Sequence, residues 1–239
     1  LGTEENLRIM TEMSNELKQH MDLQFKTSVQ DILVEDHHAT GIVLENGQTI
    51  HAKKVVLAPG RDGSAWLTKV LSNQGLKLYN NQVDIGVRVE TSNIVMEEIN
   101  KNLYEGKFVY NTSVGTKVRT FCSNPSGHVV IENHSGTMLA NGHAYHDPKL
   151  GSKNTNFALL VSHTFSEPFN EPNEFAHEIS RLANKLSNGS VIVQRYGDIK
   201  RGRRTTYKRL KEGYTEPTLP EAVPVSYTHL RAHETRSNL

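Results

Sequence analysis

The chain has 239 residues, 27 of them basic and 26 acidic, with one cysteine and a mean hydropathy of −0.53. Near-neutral charge with apolar segments throughout argues against disorder, and no apolar run approaches the roughly 18–20 residues that span a bilayer. A single cysteine excludes an internal disulfide and a multi-cysteine zinc site, and fits a reducing, cytoplasmic setting.

Leu1 is not methionine and no basic and apolar leader follows, so the chain reads as an internal piece of a longer protein. Residues 4–21 place Leu7, Met10, Ser14, Leu17 and Met21 at helical spacing, with Thr3 as N-cap and Glu4 and Glu5 in the first turn. The stretch 23–34 is β-rich, 41–45 is short and apolar, Asn46-Gly47 is a hairpin signal, and 48–58 follows as a third strand. This is a β-meander. Its last strand ends Val55-Val56-Leu57-Ala58-Pro59-Gly60, where a continuous apolar run predicts burial on both faces of a sheet and Gly60 allows a tight exit.

Residues 64–74 form a predicted short helix with Ser64 as cap, Trp66, Leu67, Val70 and Leu71 inward, and Gly75 just past its end. From about residue 84 the texture changes to short strands separated by glycine, at 84–90, 106–112, 117–122, 128–132 and 137–140. Phe175, Ile179, Leu182 and Leu186 mark an amphipathic helix closed by Asn188-Gly189, ahead of a strand at 190–194. Two domains are expected, 1–80 and 81–224. Residues 225–239 lose both periodicities and resemble a translated sequencing adapter, so they stand apart from the fold. Without their two arginines and one glutamate the chain has 25 basic and 25 acidic residues, which gives bulk attraction to nucleic acid no support.

The segments TSVQDI at 27–32, GIVLENG at 41–47 and VVLAPGRDG at 55–63 are similar to the adenine-side motif of flavoproteins with two dinucleotide-binding domains. DIGVRVE at 84–90, FCSNPSGHVV at 121–130, NGHAY at 141–145, NTNFALLV at 154–161, GRRTT at 202–206 and PTLPEAVP at 217–224 sharpen the likeness. Together they resemble the uncharacterised bacterial FAD-dependent dehydrogenase family of predicted NAD(P)/FAD-dependent oxidoreductases, over essentially residues 1–224. The resemblance implies an α/β fold: a partial Rossmann-like FAD-binding domain with a β-meander, followed by a β-rich substrate domain. It implies FAD as cofactor of the intact protein and NAD(P) as a candidate second one. Two parts of that pattern are absent, the G-x-G-x-x-G turn that holds the pyrophosphate and the glycine-rich segment that closes over the flavin. The family's frequent second cysteine is Asn124 here.

By the same resemblance the backbone of Val29 lies against the adenine, and Ala58, Pro59 and Gly60 pass close to the adenosine half. Arg61 meets a phosphate or caps the next turn. Asn154, Thr155 and Asn156 line a flavin-side cavity, or else serve as turn residues after Gly151-Ser152. Residues 200–211 hold seven basic side chains in twelve positions, read as a solvated basic face or as a place where Arg203 or Arg204 orients an anionic substrate or cofactor phosphate. No G-x-S-x-G elbow exists, and the spacing of His143, His146 and Asp147 is a poor metal pattern beside Pro148, so catalytic residues stay unassigned and no metal is expected. Cys122 reads as a small buried strand residue. The primary expectation is part of an FAD-dependent oxidoreductase acting on a small molecule, without nucleic-acid or membrane partners. The rival is a non-catalytic nucleotide- or anion-binding module that uses residues 200–211.

Overall fold

The structure is a computed structural model that describes residues 2–103 and 105–225; the adapter-like stretch lies outside the described residues apart from Val225. The chain divides into two units, one of residues 9–79 and one of residues 2–8 with 80–225. Among the described residues no helix is long and apolar enough to cross a membrane.

Helix α1 (Thr3–Leu17) follows the expected periodicity, yet none of its residues is buried. Thr3 is the first helical residue rather than the cap. In the smaller unit, β1 (Val29–Glu35), β2 (His38–Leu44) and β3 (Thr49–His51) form the antiparallel meander in the order β1-β2-β3. The turn between β2 and β3 is the one Asn46-Gly47 announces: Gly47 has φ +84, and its N–H donates to the Leu44 carbonyl at 2.9 Å. Helix α2 (Ser64–Asn73) follows, with Gly63 rather than Ser64 at the cap position and no side-chain cap bond. Leu44 and Val70 are the buried apolar side chains of this unit, each contributing about 1.5–3 kcal/mol by transfer from water.

One expected element is corrected. The third strand does not run 48–58: it ends at His51, the Ala52 N–H still donates to the Thr40 carbonyl of β2 at 2.9 Å, and residues 53–59 have no strand partner among the described residues. The apolar run is therefore not sandwiched in a sheet, and Val56 is 89% exposed. A continuous apolar strand is stable only with neighbours on both edges and covers on both faces, and the meander supplies neither.

The larger unit is mostly antiparallel β. Strands β4 (Val83–Ser92), β5 (Val109–Asn111), β6 (Lys117–Asn124) and β9 (Asn154–His163) form one sheet in the order β4-β9-β6-β5, with β9 at its centre. The β4·β9 ladder is ten residues long, from Val83↔His163 to Ser92↔Asn154. Strands β7 (His128–His134) and β8 (Thr137–His143) make a separate hairpin over the Ser135-Gly136 turn, both residues at positive φ. Helix α3 (Asn93–Asn102) has its first turn capped by the Ser92 hydroxyl.

Helix α4 (Pro172–Leu186) ends at Asn188 and Gly189, both left-handed, as expected. Its Asn184 amide bonds both the N–H and the carbonyl of Met138, at 2.7 and 2.8 Å, and so acts as a side-chain partner for β8. Short helices α5 (Tyr196–Lys200) and α6 (Tyr207–Lys211) lie between the parallel pair β10 (Ile192–Val193) and β11 (Val223–Pro224). Val129, Val191, Leu219 and Ala222 are the buried cluster, with Ile131, Met138 and Val193 packed on it. The expected α/β mixture is what the molecule shows, helices combined with several antiparallel sheets.

Candidate functional site

In the smaller unit Val29 opens β1 opposite Leu44, at a register shift between Val29 and Asp31. The Trp66 indole N–H donates to the Gln30 carbonyl at 3.0 Å, which ties α2 to this end of β1. The turn ahead of α2 is tight, since a Cβ on Gly63 would meet the Pro59 side chain at 2.4 Å. Gly60 sits at φ +71 with open space around it, a backbone conformation that suits glycine. Ala58, Pro59, Gly60 and Arg61 are all exposed. A hollow of about 460 Å³ lined by His38, Thr40, His51 and Lys53 is at the opposite end of the meander from Val29.

The triplet Asn154, Thr155 and Asn156 begins the central strand β9, and it is not a turn. Its residues are 6%, 0% and 0% exposed, so Asn154 and Thr155 face protein and not an open cavity. Asn154 donates to Glu90 Oε1 at 3.3 Å and to the Glu216 carbonyl at 2.8 Å, while the same Glu90 carboxylate accepts the Thr218 N–H at 3.1 Å and the Thr218 hydroxyl. The Thr155 hydroxyl donates to Asn93 Oδ1 at 2.8 Å and accepts from Asn100 at 2.9 Å. Asn93 also donates to the Ser126 hydroxyl at 2.9 Å and the Ser152 carbonyl at 3.2 Å. Asn156 accepts from Asn124 at 3.2 Å, but its own buried Nδ2 has no partner among the described residues.

Sequence reading missed Arg88, Glu90, Asn93 and Thr218 as members of this polar interior. Arg88 and Glu90 are two apart on β4, opposite Ala158 and Asn156, so they share a face of the sheet. That alternation was the only signal available. Arg88 bonds the Cys122 carbonyl at 2.9 Å and Asn141 Oδ1 at 2.8 Å. Cys122 has φ +50 at the irregularity between Phe121 and Asn124, so it is a bulge residue and not a plain strand residue.

The two arginines of the basic segment part company. Arg203 Nε donates to Asp198 Oδ1 at 2.7 Å, and Thr205 donates to the other oxygen at 3.0 Å. The Asp198 side chain is 1% exposed. Burial opposes its ionisation, yet the Arg203 guanidinium and the Thr205 hydroxyl hold its carboxyl below the usual range. Arg203 is thus a clamp on α5. Arg204 is exposed and its side chain has no partner among the described residues, which leaves it available to an anion. His143, His146 and Asp147 do not converge: His143 Nδ1 lies 2.8 Å from the Thr3 hydroxyl, whereas the His146 and Asp147 N–H groups donate to Glu4. Among the described residues no group of three histidine, cysteine or carboxylate side chains is placed to hold a metal ion.

Residues 5–95 match the family model described as glucose inhibited division protein A, a family of FAD-binding oxidoreductases. The matched stretch contains the whole meander, the turn at 58–63, α2 and β4. No curated protein matches the chain.

Proposed function

We propose that this chain carries the adenosine side of an FAD site, together with a β-rich substrate-side unit, in a cytoplasmic FAD-dependent oxidoreductase that acts on a small molecule. The observation that carries the reading is the coincidence of the family match with the meander and its exposed 58–61 turn. The residues fit one end of the cofactor. Backbone groups at Val29 and at Ala58, Pro59 and Gly60 are of the kind that read an adenine edge, and the missing Cβ at Gly60 allows close approach. Arg61, next in the chain, is the side chain this reading assigns to a phosphate. The sequence given holds no G-x-G-x-x-G, the turn that cradles the pyrophosphate at the other end.

When bound, the flavin supplies hydride or electron transfer, and the protein orients it and excludes water. The finer assignment, to the FAD-dependent dehydrogenase family, rests on the segments at 84–90, 121–130, 154–161 and 202–206. NAD(P) has no support in the match and stays outside this reading.

Equilibrium dialysis of the chain against FAD, ADP and FMN tests it. FAD and ADP bind with dissociation constants of about 0.1–1 mM, FMN binds at least about tenfold more weakly, and Gly60→Val weakens FAD and ADP alike. Equal binding of FMN and FAD, or no binding of FAD and ADP at about 5 mM, overturns the reading.

A further inference from the structure

The start of α1 is pinned to the end of β8 by three consecutive residues, each in a different way. Gly2 is buried, and a Cβ there would overlap the His146 nitrogen and lie 2.8 Å from the Tyr145 carbonyl carbon, which leaves no room for a side chain. The Thr3 N–H donates to the Ala144 carbonyl at 3.1 Å, and the Thr3 hydroxyl lies 2.8 Å from His143 Nδ1. Glu4 Oε1 accepts the His146 N–H at 2.7 Å and the Asp147 N–H at 3.0 Å. Apolar packing adds little, since no residue of α1 is buried, and from Ile9 onward the helix belongs to the smaller unit.

Titratable groups gather at this contact. His143 meets the first turn of α1 through Thr3, with the His128 ring 5.7 Å and the Tyr145 ring 4.9 Å away, and Glu221 lines the same hollow as both histidines. Glu5 is paired with Arg8, and the Asp147 carboxylate accepts the Lys149 N–H at 2.9 Å. Charging His143 preserves the Thr3 contact, because a hydroxyl accepts as readily as it donates. What changes is the field: a half-buried cation then faces the positive end of a helix. Burial, and then the neighbouring His128, lower the His143 pKa against a weaker pull from Glu4. Burial opposes the ionisation of Glu4, yet the Asp147 and His146 N–H groups hold its carboxyl below the usual range. The His146 ring favours ionised Glu4 as well, but it is exposed, so water screens it.

Both groups act on docking with the same sign. The share that depends on neutral His143 is complete above pH 6.5, the ordinary value of the ring, and is lost as pH falls below it. The share that depends on ionised Glu4 is complete above pH 4.5 and is lost further down. We propose that residues 2–4 form an acid-released latch: protonation of His143, and at lower pH of Glu4, frees the start of α1 from residues 143–147 while the β4·β9 ladder stays intact. The latch does not depend on the adenosine site.

Backbone hydrogen exchange of the whole chain tests it, at about pH 7.5 and about pH 5.5 with the intrinsic rates divided out. Protection of the amides at 6–9, beginning with the Asn6 N–H that donates to the Gly2 carbonyl, falls about two- to fivefold at the lower pH, and that of β4 and β9 does not change. His143→Gln, which keeps a hydrogen-bonding group beside Thr3, removes the fall. Glu4→Gln loses about fivefold or more in protection already at the higher pH, because the His146 and Asp147 N–H groups then meet a neutral acceptor. Equal protection of 6–9 at both pH values in the wild-type protein overturns the latch. An equal loss across β4 and β9, which is general unfolding, overturns it too, as does a fall that persists in His143→Gln.

Discussion

The stretch 55–60 and the start of β9 invert what hydropathy leads one to expect. Val55-Val56-Leu57-Ala58 is apolar, yet it has no strand partner among the described residues and leaves Val56 89% exposed. Asn154-Thr155-Asn156 is polar, yet Thr155 and Asn156 are completely buried. The difference lies in partners. Strand β9 pairs with β4 on one side and β6 on the other, and the side chains at its start find Glu90, Asn93, Asn100 and Asn124. Burial follows from satisfied backbone and side-chain bonds as much as from apolar area.

The hardest blow to this contrast is Asn93→Ala. It removes the acceptor of the Thr155 hydroxyl and the donor to Ser126 and Ser152, and leaves a buried hydroxyl without an acceptor. A loss of about 3 kcal/mol is expected, seen as a fall of roughly 6–12 °C in melting temperature. A loss below about 0.5 kcal/mol would mean that the polar interior does not hold the sheet together. Asn156→Leu should cost far less, within about 1 kcal/mol of zero, because one bond is lost while an unpaired buried amide group is removed as well. The smallest effect belongs to Val56→Thr, about 0.5 kcal/mol or less in chemical denaturation, as for an exposed site. A cost above about 1.5 kcal/mol would show that Val56 is covered in solution and would erase the contrast.

What could be read from the sequence was whatever depends on local chemistry. The Asn46-Gly47 turn, the amphipathic spacing of α4 and its Asn188-Gly189 end all appear near their expected positions. Helix α3 was missed because apolar periodicity does not hold it in place. Its Ile94 and Val95 are 82% and 70% exposed, while Asn93 and Asn100 attach it to Thr155. The 48–58 strand was overextended because an apolar run shows the wish for a sheet and not the presence of its neighbours. Of the candidate site residues, the 58–61 turn is marked in the sequence by Pro59 and Gly60, whereas Val29 comes only from the resemblance. The separate fates of Arg203 and Arg204 were not, since only the fold brings Asp198 to one of them.

The bulge at Cys122 gives the protein a built-in reporter. It is the only thiol in the sequence and is partly accessible, with its carbonyl held by Arg88 and Asn124 and its N–H by Glu105. A maleimide dye or nitroxide would therefore attach at one place, without engineering. Its coupling rate would register each transient release of those three bonds, giving a direct clock for breathing of the central sheet.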